Sequence, residues 1–335
     1  MSRLHQILLG FSILYLLWRC YFAQRMFSFC ENFETPTVRR EDVVYLEGVV
    51  APAPTTSQPK SYCTGEQAAQ CVPPLVPFRQ RYLVADKYRL VGCAPEKNFS
   101  TMLTAIFCYL FDEERFLEHN RTFSSEAYHR RFCAGRNEYD TLTKIEQNFK
   151  VNLTDWKMLA VVRDPLERFV SGFADKCLIE QTWKKFPYRC HRCKTNLKCF
   201  MERQYARMMK KASTPSLPAN FDDDHFFPQN WRCEFNTRLR DFEIIRFDTE
   251  RTAGFLTELV AAFNESKVPS DELSFIKASV DEKRTPHSTK DSKEHTLTRQ
   301  QILSNEQLLN LLIKMYFYDF VLFGFPFPGF GKTIE

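Results

Sequence analysis

Three short apolar runs and the helical patterns between them organise the chain. Tyr88–Ala94 (YRLVGCA), Lys157–Val162 (KMLAVV) and Phe242–Phe247 (FEIIRF) are brief and bounded by polar or turn residues. That length and setting predict buried strands. Apolar positions recur at helical spacing over Ser100–Phe111, Pro165–Lys176 and Arg251–Asn264. Strands alternating with helices predict an α/β fold, a central parallel sheet flanked by helices. Leu308–Phe323 is rich in Leu, Tyr and Phe, but Lys314 and Asp319 interrupt it, so it reads as a core-packing helix rather than a membrane span. Ligands of such sheets bind beyond the carboxyl ends of the strands. The residues after the first two strands are therefore the place to look for a site.

The N-terminus follows a different pattern. An uncharged run, Ile7–Trp18, lies between Arg3 and Arg19, and residues 1–25 carry three arginines and no acid. The run extends through Ala23 if Arg19 snorkels, which predicts a signal anchor. A cleaved signal peptide is the alternative, with a poor small-residue cleavage pattern, and a buried helix is the third reading. Both leading readings send the rest of the chain into the secretory pathway. Six of the 17 prolines fall between Pro52 and Pro77, which predicts an extended spacer. The expected organisation is a cytoplasmic tip and anchor over 1–25, a stem over 26–87 and a lumenal domain over 88–330, single-pass in a membrane of the secretory pathway. The cysteines agree with an oxidising compartment. Eleven of the 12 follow the anchor, an odd number, so one thiol is left over. Cys108, inside the apolar AIFCYLF stretch, is the expected buried free thiol. Sequons stand at Asn98, Asn120, Asn152 and Asn264, of which Asn120, Asn152 and Asn264 are the expected glycosylation sites.

After the first strand the chain reads Pro95-Glu-Lys-Asn-Phe-Ser-Thr101 and enters a helix. Asn98, Ser100 or Thr101 would cap it, and Lys97 beside a helix N-terminus makes an anion site. The absence of glycine excludes the G-x-x-x-x-G-K-[ST] phosphate loop. After the second strand comes Arg163-Asp-Pro-Leu-Glu-Arg168-Phe-Val-Ser171-Gly-Phe-Ala-Asp-Lys176. Asp164 and Pro165 suit a helix start, and Arg163 offers a planar fork for phosphate. Two strand ends, each with a cation and a hydroxyl, suit one nucleotide with two separate anionic groups.

The R-D-P-x-x-R-F-x-S-x-F-x-x-K string resembles the 3′-phosphate-binding motif of the Golgi carbohydrate sulfotransferases. The similarity is greatest to the group that holds the chondroitin and dermatan 4-O-sulfotransferases. Lys97 and Thr101 match the spacing of that family's 5′-phosphosulfate loop, with Glu96 as a departure where the family has Pro directly before Lys. His225-Phe-Phe-Pro-Gln229 and Tyr318–Gly324 extend the resemblance over about residues 88–325. The resemblance implies a sulfotransferase fold related to P-loop nucleotide kinases, and the co-substrate 3′-phosphoadenosine 5′-phosphosulfate (PAPS), without a metal. It implies that Lys97, Asn98, Phe99, Ser100 and Thr101 hold the phosphosulfate, Lys97 also serving catalysis. Arg163, Arg168 and Ser171 would hold the 3′-phosphate. His225 is the candidate general base, with His129 as its rival.

The formal charge of +5 hides a lopsided stretch: residues 184–211 hold ten bases against Glu202 alone. Following the nucleotide helix, it suits an anionic glycan, with Lys184, Lys185, Arg189 and Arg192 as candidate contacts; no nucleic-acid partner is expected. Cys190-x-x-Cys193, Cys199 and Cys233 are expected as disulfides, a zinc site with His191 being the alternative. Thr285–Lys290 reads as a loop, over the nucleotide or merely at the surface. The functional expectation is transfer of a sulfuryl group from PAPS to a glycan hydroxyl, in a glycosaminoglycan such as chondroitin. A catalytically inactive lumenal relative that binds glycan or nucleotide is the alternative. A kinase is disfavoured by the missing glycine-rich loop and metal carboxylates.

Overall fold

A computed structural model describes residues 62–126, 130–248, 251–282, 289 and 291–329. The expected anchor, most of the stem and His129 lie outside the described residues. The strands are β1 (Tyr82–Ala85), β2 (Leu90–Cys93), β3 (Glu138–Tyr139), β4 (Lys157–Arg163) and β5 (Phe242–Phe247). The helices that matter here are α1 (Ser100–Phe111), α2 (Leu142–Phe149), α3 (Pro165–Phe173) and α4 (Leu197–Ser213). They are followed by α5 (Phe221–Phe226), α6 (Thr252–Glu265), α7 (Ser270–Glu282), α8 (Lys293–Leu303) and α9 (Glu306–Phe323).

The five strands form one sheet in the order β3-β1-β2-β4-β5. Its functional part is parallel: β2 pairs with β4, setting Cys93 beside Ala160, and β4 pairs with β5, setting Arg163 beside Phe247. The remainder is antiparallel, so the expected central parallel sheet is β2-β4-β5 within a mixed sheet. Only Asp86–Arg89 separate β1 from β2, with Arg89 left-handed at φ 51°. So short a link reverses the chain and leaves no room for a crossover.

The boundary expected at residue 88 falls inside this body. β1 is buried along its whole length. The Val72 N–H donates to Lys314 O at 2.9 Å, and the Phe78 N–H to Trp231 O at 3.1 Å. Cys63 and Cys71 close a disulfide just before.

Helices cover both faces. α1 lies on the sheet against α6 and α7, burying Leu103, Ile106, Phe107 and Leu110 with Leu159, Val161 and Ile245. Gly92 permits that approach, since a Cβ there would stand 2.6 Å from the Phe107 ring. On the other side α3, α4, α5 and α9 share a core that includes Phe169, Phe173, Phe200, Phe226 and Tyr316. Gly172 of α3 meets Phe226 so closely that a Cβ would stand 2.8 Å from its ring. Among the described residues no helix is long and apolar enough to cross a membrane.

All ten described cysteines pair: Cys63–Cys71, Cys93–Cys233, Cys108–Cys133, Cys177–Cys190 and Cys193–Cys199. The expectation of a free Cys108 is thereby overturned. An apolar neighbourhood in the sequence says that the residue is buried, not that its sulfur is alone. The zinc alternative at Cys190 and Cys193 falls for the same reason, as both sulfurs are spent in disulfides.

Candidate active site

Parallel pairing of β2 and β4 brings their carboxyl ends to one edge of the sheet, and with them the two loops singled out in the sequence. The 95–99 loop is bent without glycine: Lys97 (φ 71°) and Phe99 (φ 63°) are left-handed. A non-glycine residue there costs about 1–2 kcal/mol, so the surroundings must hold it. Arg163 Nη1 donates to Lys97 O at 3.2 Å and Arg168 Nε to Glu96 O at 3.0 Å. The Asn98 N–H returns to Pro95 O at 3.1 Å, and the Phe99 ring packs between Phe247 and Phe255. Asn98 is fully buried, its amide donating to Val161 O and to Gln229 Oε1.

The bent loop aims the first turn of α1 outward. None of Asn98, Ser100 and Thr101 caps the helix, contrary to expectation; the cap position is Phe99, which offers no side-chain acceptor. The N–H groups of the first turn therefore find no acceptor on a capping side chain, and the positive end of the helix faces the sheet edge. The Lys97 ammonium meets Asp175 Oδ2 at 2.6 Å, and Lys176 reaches the same oxygen at 3.0 Å. Burial pulls the Lys97 pKa down more than Asp175 pulls it up, so it sits below the ordinary lysine value. Asp175 and Lys176 reach inward because α3 passes into a π-helical turn at Ala174–Ile179.

Arg163 is 5% exposed and lies 5.4 Å from the centroid of the Phe247 ring. Burial pushes its pKa down to about 10. Arg163 Nε and Arg168 Nη2 are buried with no hydrogen-bond partner among the described residues. Two orphaned guanidinium donors, a lysine and an uncapped helix start fit an anionic ligand. Arg168 is otherwise spent on structure, bonding Glu96 O and Phe227 O. Asp164 caps α3 and accepts from the Glu167 N–H at 3.0 Å. Ser171 is buried, and Thr289 Oγ1 donates to its hydroxyl at 3.1 Å. Of the Thr285–Lys290 loop only Thr289 is described, and it belongs to this site.

His225 stands on α5 with Nδ1 2.7 Å from Phe221 O. A bond to a carbonyl makes Nδ1 the protonated nitrogen and leaves the Nε2 lone pair available. Burial pushes the His225 pKa down to about 4, with Glu96 opposing and Lys176 and Lys97 assisting. The ring is therefore neutral at physiological pH. Glu96 does not neutralise Lys97: its carboxylate lies 3.4 Å from Arg232. Burial drives the Glu96 pKa upward, but Arg232 and His225 outweigh it and hold the carboxyl below its usual value. Arg232 also donates to Asp224 O at 2.6 Å, next to His225.

Several residues that fix this geometry had no assigned role in the sequence. Gln229 bonds both main-chain groups of Arg163 at 2.8 Å, its Oε1 accepting from the N–H and its Nε2 donating to the C=O. Buried Asp319 accepts the N–H groups of Gln229 and Asn230 at 2.8 Å. The Cys93–Cys233 disulfide ties the end of β2 to the same segment. Gln229 and Asp319 lie within the strings quoted for the family resemblance, which was the available signal; Asp175 was visible there as well.

The basic stretch divides into two parts. Arg203 bonds His191 O at 2.6 Å, Arg207 pairs with Asp223 at 2.7 Å, and Lys211 bonds Leu217 O at 2.7 Å. Arg189 is a strut, its guanidinium 4.1 Å from the Phe186 ring centroid and 3.7 Å from that of Phe221. Lys184, Lys185 and Arg192 are exposed. Asn120, Asn152 and Asn264 are exposed also. Among the described residues no group of three or more His, Cys, Asp or Glu is placed to hold a metal ion.

The "Sulfotransferase family" model matches residues 80–326. The chain belongs to the sulfotransferase family. A related sulfotransferase is the Caenorhabditis elegans protein named carbohydrate sulfotransferase chst-1, 34% identical over 259 residues, covering 76% of this chain and 78% of that protein. The uncharacterized C. elegans protein C18B2.2 is 28% identical over 305 residues, covering 90% of this chain and 83% of its own. No solved structure matches this sulfotransferase significantly. The family match takes in all five strands and begins before β1, in line with a domain that starts ahead of residue 88.

Proposed function

We propose that this sulfotransferase transfers a sulfuryl group from PAPS to a hydroxyl of a glycan, a galactosaminoglycan such as chondroitin being the favoured acceptor. One observation carries the reading. Lys97 in the loop after β2 and Arg163 at the end of β4 are joined by a 3.2 Å hydrogen bond, and buried guanidinium donors beside them lack partners among the described residues. Lys97 and the first turn of α1 would hold the 5′-phosphosulfate. Arg163 and the Ser171–Thr289 hydroxyl pair would hold the 3′-phosphate. PAPS supplies an activated sulfuryl group joined to a phosphate leaving group.

His225 Nε2 receives the proton of the acceptor hydroxyl as the new oxygen–sulfur bond forms. The sulfur–oxygen bond to the phosphate breaks, and its electron pair passes to the bridging oxygen, where Lys97 meets the developing charge. The chemistry is mainly positioning and charge stabilisation, as in phosphoryl transfer. Five disulfides support an oxidising lumen. We place the enzyme in the Golgi as a single-pass type II membrane protein.

Titration with adenosine 3′,5′-bisphosphate and with adenosine 5′-monophosphate tests the nucleotide site. Tighter binding of the bisphosphate by at least about tenfold is expected from one charge-assisted phosphate contact. Equal binding of the two, or competition by ATP as strong as by PAPS, overturns the assignment. The favoured acceptor rests on the family resemblance, and a panel of glycans offered with labelled PAPS tests it.

A further inference from the structure

Beyond the π-helical turn that carries Asp175 and Lys176 lies an open groove of about 560 Å³, lined by Trp183, Pro187, Tyr188, Arg192 and Lys194. Among the described residues no carboxylate lines it. Tyr188 is 57% exposed, its ring 6.0 Å from that of Phe186. Trp183 is flanked by cations: the Lys184 and Lys194 ammonium groups lie 5.9 and 5.8 Å from its ring centroid.

The groove is built on a strained and clamped backbone. Gln181, Cys190, His191, Arg192 and Lys194 all have φ between 47° and 60°. Each costs about 1–2 kcal/mol, so nothing in local propensity selects this conformation. Three devices hold it. The Cys177–Cys190 and Cys193–Cys199 disulfides bracket the segment. The Cys190 and His191 N–H groups both donate to the Asp222 carboxylate at 3.1 Å. The result fixes Arg192 and Lys194 on the groove wall beside two aromatic rings.

The groove is also tethered to the candidate active site. Trp183 Nε1 donates to Cys177 O at 3.0 Å, and Thr182 Oγ1 to Lys176 O at 3.1 Å. Lys176 shares Asp175 with Lys97. Arg189 stacks on Phe221, the residue whose carbonyl orients His225.

We infer that this groove is an acceptor subsite that binds an acidic sugar, a hexuronic acid residue of the glycan. The inference deepens the sulfotransferase reading and rests on it. Aromatic faces suit the apolar face of a sugar ring, and Arg192 and Lys194 meet its carboxylate. The volume lies in the range of small-ligand sites and suits a segment of one or two sugars rather than a folded partner. The exposed cations Lys184, Lys185 and Lys198 continue the charge for flanking acidic residues.

The test is direct titration of the purified full-length chain with a chondroitin hexasaccharide, a neutral maltohexaose and adenosine 3′,5′-bisphosphate. Tyr188→Ala removes an exposed ring that makes no hydrogen bond in the described structure, so it reads the groove without disturbing the fold. The Arg192→Ala/Lys194→Ala pair removes the charge. Both variants are expected to weaken the acidic hexasaccharide, the pair by about tenfold or more, and to leave bisphosphate binding unchanged. Wild-type binding should weaken with salt. Unchanged acidic-hexasaccharide binding in both variants overturns the inference. So does maltohexaose binding as tight as the chondroitin hexasaccharide, or tighter binding of a single-stranded oligonucleotide of equal charge. Sulfate transfer failing while hexasaccharide binding responds to the variants would count against the sulfotransferase reading and leave the groove standing.

Discussion

Replacing Asp175 by Asn tests how Lys97 is held ready for an anion. Asp175 is 3% exposed and accepts Lys97 at 2.6 Å and Lys176 at 3.0 Å. The substitution keeps the shape and removes the charge. Lys176 retains Glu180 at 2.8 Å, whereas Lys97 loses the carboxylate that offsets its burial. Breaking a buried ion pair costs about 3–5 kcal/mol when the remaining charge cannot escape. Lys97 can escape by shedding its proton. Burial already holds its pKa below that of the unfolded chain, and the loss of Asp175 lowers it further. The folded state then binds fewer protons than the unfolded state, so stability rises with pH up to the unfolded lysine value. The deficit relative to wild type is therefore largest at low pH and shrinks as pH rises. Taking about 3 kcal/mol and about 2–4 °C per kcal/mol, the variant melts about 6–12 °C lower at pH 6. Adenosine 3′,5′-bisphosphate returns an anionic partner to Lys97, so its stabilising effect on the melting temperature is larger in the variant than in wild type. In the pH profile of kcat/KM for PAPS, the alkaline limb moves to lower pH. Thermal melts at pH 6 and pH 9, with and without the bisphosphate, check all of this. Equal melting temperatures at pH 6 together with an unmoved alkaline limb would refute the reasoning.

Three further outcomes follow from the same geometry. His225→Gln lowers kcat by about 10²–10⁴-fold and leaves bisphosphate affinity unchanged; because the His225 pKa is pushed down to about 4, the base is deprotonated above that value and the wild-type rate falls only as pH drops through it. Near-normal turnover of that variant removes the base assignment. Thr289→Ala breaks its bond to Ser171 and weakens adenosine 3′,5′-bisphosphate by about fivefold, with adenosine 5′-monophosphate unaffected in calorimetry. Joint replacement of Cys93 and Cys233 by Ser opens a link across 140 residues, worth up to about 5 kcal/mol; it lowers the melting temperature by about 10–20 °C and weakens nucleotide binding, since β2 and the Gln229 segment lose their tie.

What was legible in the sequence was local. β4 is a continuous apolar run ended by Arg-Asp-Pro, and its strand, turn and helix appear where the pattern put them. α1 occupies Ser100–Phe111 as expected, and α9 packs into the core around Asp319. What was missed depends on distant partners. Tyr82–Ala85 has four residues and sits close behind a proline-rich stretch, and only pairing with β2 and β3 makes it a strand. Cys108 and Cys133 are 25 residues apart, and spacing alone does not reveal that they meet. A single carboxylate such as Asp175 becomes meaningful only once the π-helical turn aims it at Lys97. The same holds for Thr289, a threonine in a polar loop until α8 packs on α3 and Thr289 reaches Ser171. Within the basic stretch, Arg189, a candidate contact, stacks on Phe221, and Arg203, Arg207 and Lys211, which had no assigned role, bond within the chain.

The most direct measurement is transfer of radiolabelled sulfate from PAPS by the purified chain to a panel of glycans, with Lys97→Ala alongside. Label is expected in an acidic galactosaminoglycan, with none from Lys97→Ala and with bisphosphate inhibition stronger than that by ATP. A folded wild-type chain that binds the bisphosphate but labels no glycan, or a Lys97→Ala protein as active as wild type, would contradict it.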